Sequence, residues 1–272
     1  MKSNRSDHGS PEGLRYGDAI GRARDRLGRL GSTILYYPTI GSTNDAAASH
    51  ASEGLVVVAD EQTAGRGRRG HTWFSPPGSG LYVSVVLTPA RGRVDPVRAT
   101  TLLTLAAGVA IAEGVGAATG LAADLKWPND LLVGRRKLAG ILAEGSSAAA
   151  HTIILGYGIN VSPAAYPPEL ADRATSIESE VGRMIDRGQL FAETLAALAR
   201  RYEDLVDGRF DAILDAWRRR APAACGARVE WTTAHGRRAG ITEGIDDQGA
   251  LLVRVGERIE RIVSGELVWL PR

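Results

Sequence analysis

Residues 126–142 read KWPNDLLVGRRKLAGIL. A proline after Trp127 holds that residue extended, and Asn129-Asp130 turns the chain, so Lys126 falls at a strand end just before a rigid corner. Two apolar runs, Leu131–Val133 and Leu138–Ala143, flank Gly134-Arg135-Arg136-Lys137, which is the pattern of a β-hairpin. Working outward, Leu55–Ala59, Leu81–Leu87 and Ile153–Ile159 read as strands, and Val97–Ala118 as a long apolar helix. Further helices are expected over 188–206 and 210–220, with an Ala-rich helix running from Ser42 to about Gly54. Strands and helices mix without strict βαβ alternation, which predicts an α+β fold with a mixed, largely antiparallel sheet.

Pro222 marks a boundary, and five short strands follow over 229–270, the pattern of a small β-barrel. Three segments result: a 1–31 extension with one helix over about 18–30, a main domain over 32–221, and the barrel over 222–272. The extension is too short for the three helices of a DNA-binding helix-turn-helix module. Residues 162–176, with Pro163, Pro167 and Pro168, form a long irregular loop of the kind that carries function.

With 272 residues, 44% hydrophobic and 24% charged, the chain can bury a sizeable core and matches neither a disordered nor a fibrous class. Apolar stretches such as Leu102–Ala112 are broken before bilayer length, so no membrane span is expected. The single cysteine, Cys225, points to a reducing cytoplasm, and no Cys/His spacing suits zinc. A net charge of +2 lacks the excess of a dedicated nucleic-acid binder, leaving local clusters to bind anions. Of 33 basic residues only Lys2, Lys126 and Lys137 are lysines, so a lysine inside an organised segment is expected to be there for lysine chemistry.

The local cluster is Gly65-Arg-Gly-Arg-Arg-Gly70. It has the G-x-G-x-x-G spacing of dinucleotide sites, but Trp73-Phe-Ser-Pro-Pro-Gly follows where a helix must start. A Walker A reading puts His71 where the phosphate-binding lysine belongs. What remains is a flexible loop whose amides and arginines surround a polyphosphate, or a solvated basic turn. Mutual repulsion of three arginines favours the anion site, and predicts a loop that is mobile when empty.

Five segments in order, Gly41-Ser-Thr-Asn44, Glu61-Gln-Thr-Ala-Gly-Arg-Gly-Arg-Arg-Gly70, Lys126-Trp-Pro-Asn-Asp130, Lys137-Leu-Ala-Gly-Ile-Leu142 and Gly156-x-Gly-x-Asn160, resemble the bacterial biotin protein ligases, relatives of the lipoate ligases and of class II aminoacyl-tRNA synthetases. The resemblance spans about residues 32–270. It implies a class II synthetase-like catalytic domain with an SH3-like C-terminal barrel. It also implies two chemical steps, activation of biotin by ATP as biotinyl-5'-adenylate and transfer to a lysine of a biotin carboxyl carrier protein. Biotin and ATP would be substrates, with Mg²⁺ accompanying ATP; the ligands of the metal are not assigned.

By position the resemblance implies biotin contacts from Ser42, Thr43, Asn44, Gln62, Arg66, Gly67, Arg68 and Lys126, of which the first four also supply the donors and acceptors that a ureido ring needs. It implies nucleotide contacts from Gly65, Arg66, Arg68, Arg69, Lys137 and Asn160, with Lys126 and Arg68 catalytic. His71 stands where many relatives have another arginine. The lack of a winged-helix segment suggests the single-function type, with DNA binding not expected. Every pocket motif precedes residue 161, which predicts that the barrel does not build the biotin pocket. The competing readings are a lipoate or octanoate ligase, and an arginine-rich nucleic-acid binder using Trp73 and Phe74 as stacking platforms.

Overall fold

In the computed structural model of the chain, which describes residues 11–50, 52–146, 151–233, 236–265 and 267–270, the corner at 126–142 becomes the edge of a seven-stranded sheet. The elements in order are α1 (Pro11–Ala23), β1 (Ile34–Tyr37), α2 (Thr43–Ala48), β2 (Val56–Ala59), β3 (Gly80–Leu87), α3 (Pro96–Thr119), β4 (Asp124–Lys126), β5 (Asp130–Val133), β6 (Arg136–Gly145) and β7 (Ile153–Asn160). Then come α4 (Ile177–Val181), α5 (Arg187–Val206), α6 (Phe210–Arg220), β8 (Cys225–Thr233), β9 (Gly236–Ile245), β10 (Leu251–Val255), β11 (Arg258–Ile262) and β12 (Leu267–Trp269). The sheet runs β1-β2-β3-β7-β6-β5-β4. Only β1 and β2 pair in parallel, so the sheet is mixed and largely antiparallel as expected.

The hairpin forms around a two-residue turn at Gly134-Arg135, and Gly134 adopts φ 59°, a conformation that glycine takes at little steric cost. Strand β3 is buried along its whole length and β7 along all but its first residue, because helices cover both faces. One face packs on α3 and α5 and the other on α2. Asp95 caps α3 by accepting from the Arg98 N–H at 2.9 Å, Pro96 opens it, and Gly120 ends it in the left-handed region. This helix runs unbroken for 24 residues and would be long and apolar enough to cross a bilayer by length and composition alone, but 67% of its most apolar window is buried and it serves as the core helix.

Strands β8–β12 form a second antiparallel sheet, order β11-β10-β9-β8-β12. Its Val229, Trp231, Leu251 and Val253 continue the main hydrophobic core. Trp127 Nε1 donates to Gly249 O at 3.0 Å and Arg98 Nε to Asp247 O at 3.0 Å, which ties this sheet to the corner and to α3.

Three expectations shift. The first helix spans 11–23 and not 18–30: Leu27 and Leu30 are fully buried, and Gly28 and Gly31 at positive φ turn the chain to bury them. Residues 1–10 lie outside the described residues. Helix α2 stops at Ala48, where the Ser49 hydroxyl donates back to Asp45 O, well before Gly54. Strands β1 and β4 and helix α4, of three to five residues each, carry too little periodicity to be read from the sequence.

Candidate active site

A cavity of about 650 Å³ opens against β6 and β7, with the loop at 65–73, the corner at 126–130, the loop at 165–174 and the C-terminal sheet around it. Its floor is made by glycines. A side chain at Gly158 would collide with the Trp73 indole, and one at Gly156 with Asn44, so these positions let Trp73 and Asn44 lie flat on the sheet. Among the described residues the buried Trp73 Nε1–H has no acceptor.

At one end, polar side chains of α2, β3 and the 62–75 segment hold one another. Gln62 Oε1 accepts from the Thr43 N–H at 2.9 Å and its hydroxyl at 3.0 Å, and Gln62 Nε2 donates to Ser75 Oγ at 3.1 Å. Ser84 Oγ lies 2.8 Å from Thr43 Oγ1 and 2.6 Å from Asn44 Oδ1. Asn44 Nδ2 donates to Glu144 Oε2 at 2.5 Å. Each amide nitrogen spends one of its two hydrogens, which leaves Asn44 and Gln62 locked in place with a donor to offer. Ser42, 4% exposed, uses its carbonyl to accept from the Ala46 N–H but makes no side-chain hydrogen bond with the described residues, which adds a hydroxyl to the set.

Six arginines and lysines, Arg66, Arg68, Arg69, Lys126, Lys137 and Arg173, line the cavity, and they are not equivalent. Arg66 is bound by Asp45 through two contacts of 2.8 and 2.6 Å, with Glu144 at 3.5 Å. Lys137 Nζ pairs with Asp130 Oδ1 at 2.6 Å and lies 5.3 Å from the Trp73 ring centroid. Among the described residues Arg68 donates only to the neutral Asn129 Oδ1, at 3.3 Å; burial and the Arg69 charge lower its pKa. Among the described residues Lys126 has no carboxylate within ion-pair distance and no hydrogen-bond acceptor, although Asp130 lies opposite it in the β4–β5 ladder; its ammonium sits 5.6 Å from the Trp269 ring centroid. Burial depresses the Lys126 pKa, with Asp130 pulling it up and Lys137 pushing it down.

Residues 36–160 match the biotin/lipoate A/B protein ligase family and residues 224–268 the biotin protein ligase C-terminal domain. The chain is 37% identical over 246 residues to the bifunctional ligase/repressor BirA of Bacillus subtilis, covering 88% of this chain and 74% of that protein. It is also 37% identical over 260 residues to the biotin–[acetyl-CoA-carboxylase] ligase of Mycobacterium tuberculosis, covering 91% and 94%. The chain belongs to the biotin protein ligases. Among solved structures, the biotin protein ligase of Aquifex aeolicus in complex with biotin and ATP superposes on this ligase with a TM-score of 0.77 at 28% identity, covering 89% of this chain and 100% of that one.

Ser42, Thr43, Asn44, Gln62, Arg66, Gly67, Arg68, Arg69, Lys126, Lys137 and Asn160 all line the cavity of the ligase. Gly65 does not; a side chain there would collide with Trp73 O and approach Ser75 Oγ to 2.7 Å, so this glycine lets the loop fold on itself. Backbone contacts cross that loop. Arg66 and Thr72 form an antiparallel bridge, and the Gly67 N–H donates to His71 O at 2.7 Å. Asn160 spends its amide on the Thr175 carbonyl, 2.9 Å away, holding the 165–175 loop against the Lys137 backbone.

Leu267 and Trp269 of β12 also line the cavity, so the C-terminal sheet adds a stretch of wall beside the motifs that precede residue 161. The Trp73 indole lies against Gly140 and Gly158, so it is not an exposed stacking platform of the kind a nucleic-acid reading needs. Sequence reasoning missed Ser84, Glu144, Tyr166, Arg173 and Trp269. The one signal present for any of them was the length of the loop carrying Tyr166 and Arg173. Among the described residues no group of three metal-binding side chains occurs.

Proposed function

We propose that the chain activates biotin with ATP as biotinyl-5'-adenylate and transfers the biotinyl group to a lysine of a biotin carboxyl carrier protein domain. The supporting observation is an unpartnered half-buried ammonium, Lys126, opening onto the same cavity as a locked set of amide and hydroxyl groups. A ureido ring needs donors and acceptors, which Ser42, Thr43, Asn44 and Gln62 offer, whereas a plain acyl chain leaves those buried groups unmatched. This favours biotin over lipoate or octanoate.

In the first step a biotin carboxylate oxygen attacks the α-phosphorus, and the bond to the bridging oxygen breaks to release pyrophosphate. Two anions must approach, so a fixed ammonium between them lowers the barrier; Lys126 is placed for this and Arg68 adds a second charge. Mg²⁺ accompanying ATP would offset phosphate charge, and among the described residues no group of three metal-binding side chains is gathered to hold it. Lys137 and Asn160 hold the 173–175 segment that walls the nucleotide side, and Gly65, Gly67 and Arg69 shape the loop over it. In the second step the carrier amine attacks the acyl carbon and AMP leaves. Mass spectrometry of the protein with biotin and MgATP tests the reading: a retained biotinyl-adenylate supports it, and its absence under conditions where both substrates bind overturns it.

A further inference from the structure

Arg66 faces two carboxylates at the cavity rim and cannot serve as a free phosphate ligand in this arrangement. Asp45, at the start of α2, takes both ends of its guanidinium, at 2.8 and 2.6 Å. Glu144, on β6, lies 3.5 Å from the same guanidinium, and its Oε2 also accepts from Asn44 at 2.5 Å. A chain of contacts therefore runs from Ser84 in the sheet through Asn44 and Glu144 to Arg66 and out to Asp45. It ties the 65–70 loop to α2 on one side and to the floor strand β6 on the other. The contacts are at the surface, with the side chains of Asp45, Arg66 and Glu144 64%, 38% and 38% exposed. Solvent weakens such pairs, whereas two-point geometry and a shared network restore part of their strength.

We propose that Asp45 and Glu144 are positioning residues that latch the 65–70 loop shut through Arg66, and that this latch sets how long the activated acid is retained. The proposal rests on the adenylate-forming reading above. Neither carboxylate touches the reacting atoms; both act through Arg66.

The test uses the full chain. Biotinyl-adenylate is formed from labelled biotin and MgATP, unlabelled biotin is added as a chase, and the protein-bound label is followed with time. Asp45→Asn is expected to shorten the half-life of the bound label about fivefold, Glu144→Gln to shorten it in the same direction, and Asp45→Glu to restore most of it. Trypsin cleavage after Arg66–Arg69 in the ligand-free protein should quicken in step with that loss. Thermal midpoints should stay within a degree or two, since Asp45 is exposed, which separates a latch from a general loss of structure. A half-life in Asp45→Asn that is unchanged, or longer because Arg66 is freed to grip phosphate, overturns the latch. A wild type that forms no adenylate refutes the functional reading, whereas adenylate that leaves at the wild-type rate from Asp45→Asn refutes the latch alone.

Discussion

Arg187, at the start of α5, and Lys126, at the corner before β5, are both half-buried cations, and their surroundings differ in kind. Arg187 pairs with Asp60 at 2.6 Å and with Glu12 at 2.6 Å, joining α1 and the segment after β2 to α5. Arg201 is served in the same way by Glu113 and Asp204. Lys126 has an aromatic ring and, among the described residues, no carboxylate at ion-pair distance, the nearby Asp130 being paired with Lys137. A cation whose carboxylates come from the fold is a structural tie, and removing it strands those carboxylates. A cation that the fold leaves without an anion costs stability and is held ready for an anion that arrives later.

If that contrast is right, the largest effect belongs to Lys126. Lys126→Ala and Lys126→Arg are both expected to slow adenylation by ~10²-fold or more, the usual loss for one preorganised charge, with an unchanged or slightly raised thermal midpoint. A guanidinium is wider and spreads its charge, so it does not replace a compact ammonium between two approaching anions. Lys126→Arg acting within threefold of wild type would break the contrast.

Arg187→Ala reverses the pattern. Leaving Asp60 and Glu12 unpaired beside the core is expected to cost about 3 kcal/mol. At the size of this chain that lowers the thermal midpoint by roughly 6–12 °C, while adenylation at low temperature stays within about threefold. A melting curve superimposable on wild type would show that this ion-pair group is not a tie.

Trp269 is the side chain over which the Lys126 ammonium sits in place of an ion pair. A cation–π contact contributes about 1 kcal/mol, so Trp269→Leu should reduce the adenylation rate roughly fivefold, with less change in KM for biotin, and Trp269→Phe should recover most of the rate. Equal losses in both variants would mean that the indole acts by filling space.

The smallest expected effect is a displacement in pH. Burial lowers the Lys126 pKa below the ordinary lysine value of 10.5, so the ammonium, and adenylation with it, is lost as pH rises through that lowered value. Asp130 supports the charged form, and Asp130→Asn should move this alkaline limb to lower pH. The linkage to stability has the opposite sign. Between the lowered value and 10.5 the unfolded chain binds the proton that the folded chain has released, so stability rises with pH there. An alkaline limb that stays in place in Asp130→Asn would detach it from Lys126.

The hairpin at 130–145, helices α3, α5 and α6, strands β3 and β7 and the five strands after Pro222 were legible in the sequence, because each is governed by short-range rules of periodicity, turn residues and caps. The cavity-lining motifs were legible for a related reason, since glycines at 65, 156 and 158 and a lysine before a proline corner mark places where the backbone itself is constrained. Which cation faces a carboxylate was not legible. Asp45 lies 21 residues from Arg66, Glu144 lies 78 residues from it, and Trp269 lies 143 residues from Lys126. Such pairs form only when the sheet order β3-β7-β6-β5-β4 and the docking of the second sheet bring distant segments together. Local sequence therefore determined what each segment could be and which charges it carried. Tertiary packing decided which of those charges were neutralised, because Coulomb and hydrogen-bond partners act over a few ångströms of space, whatever their separation along the chain.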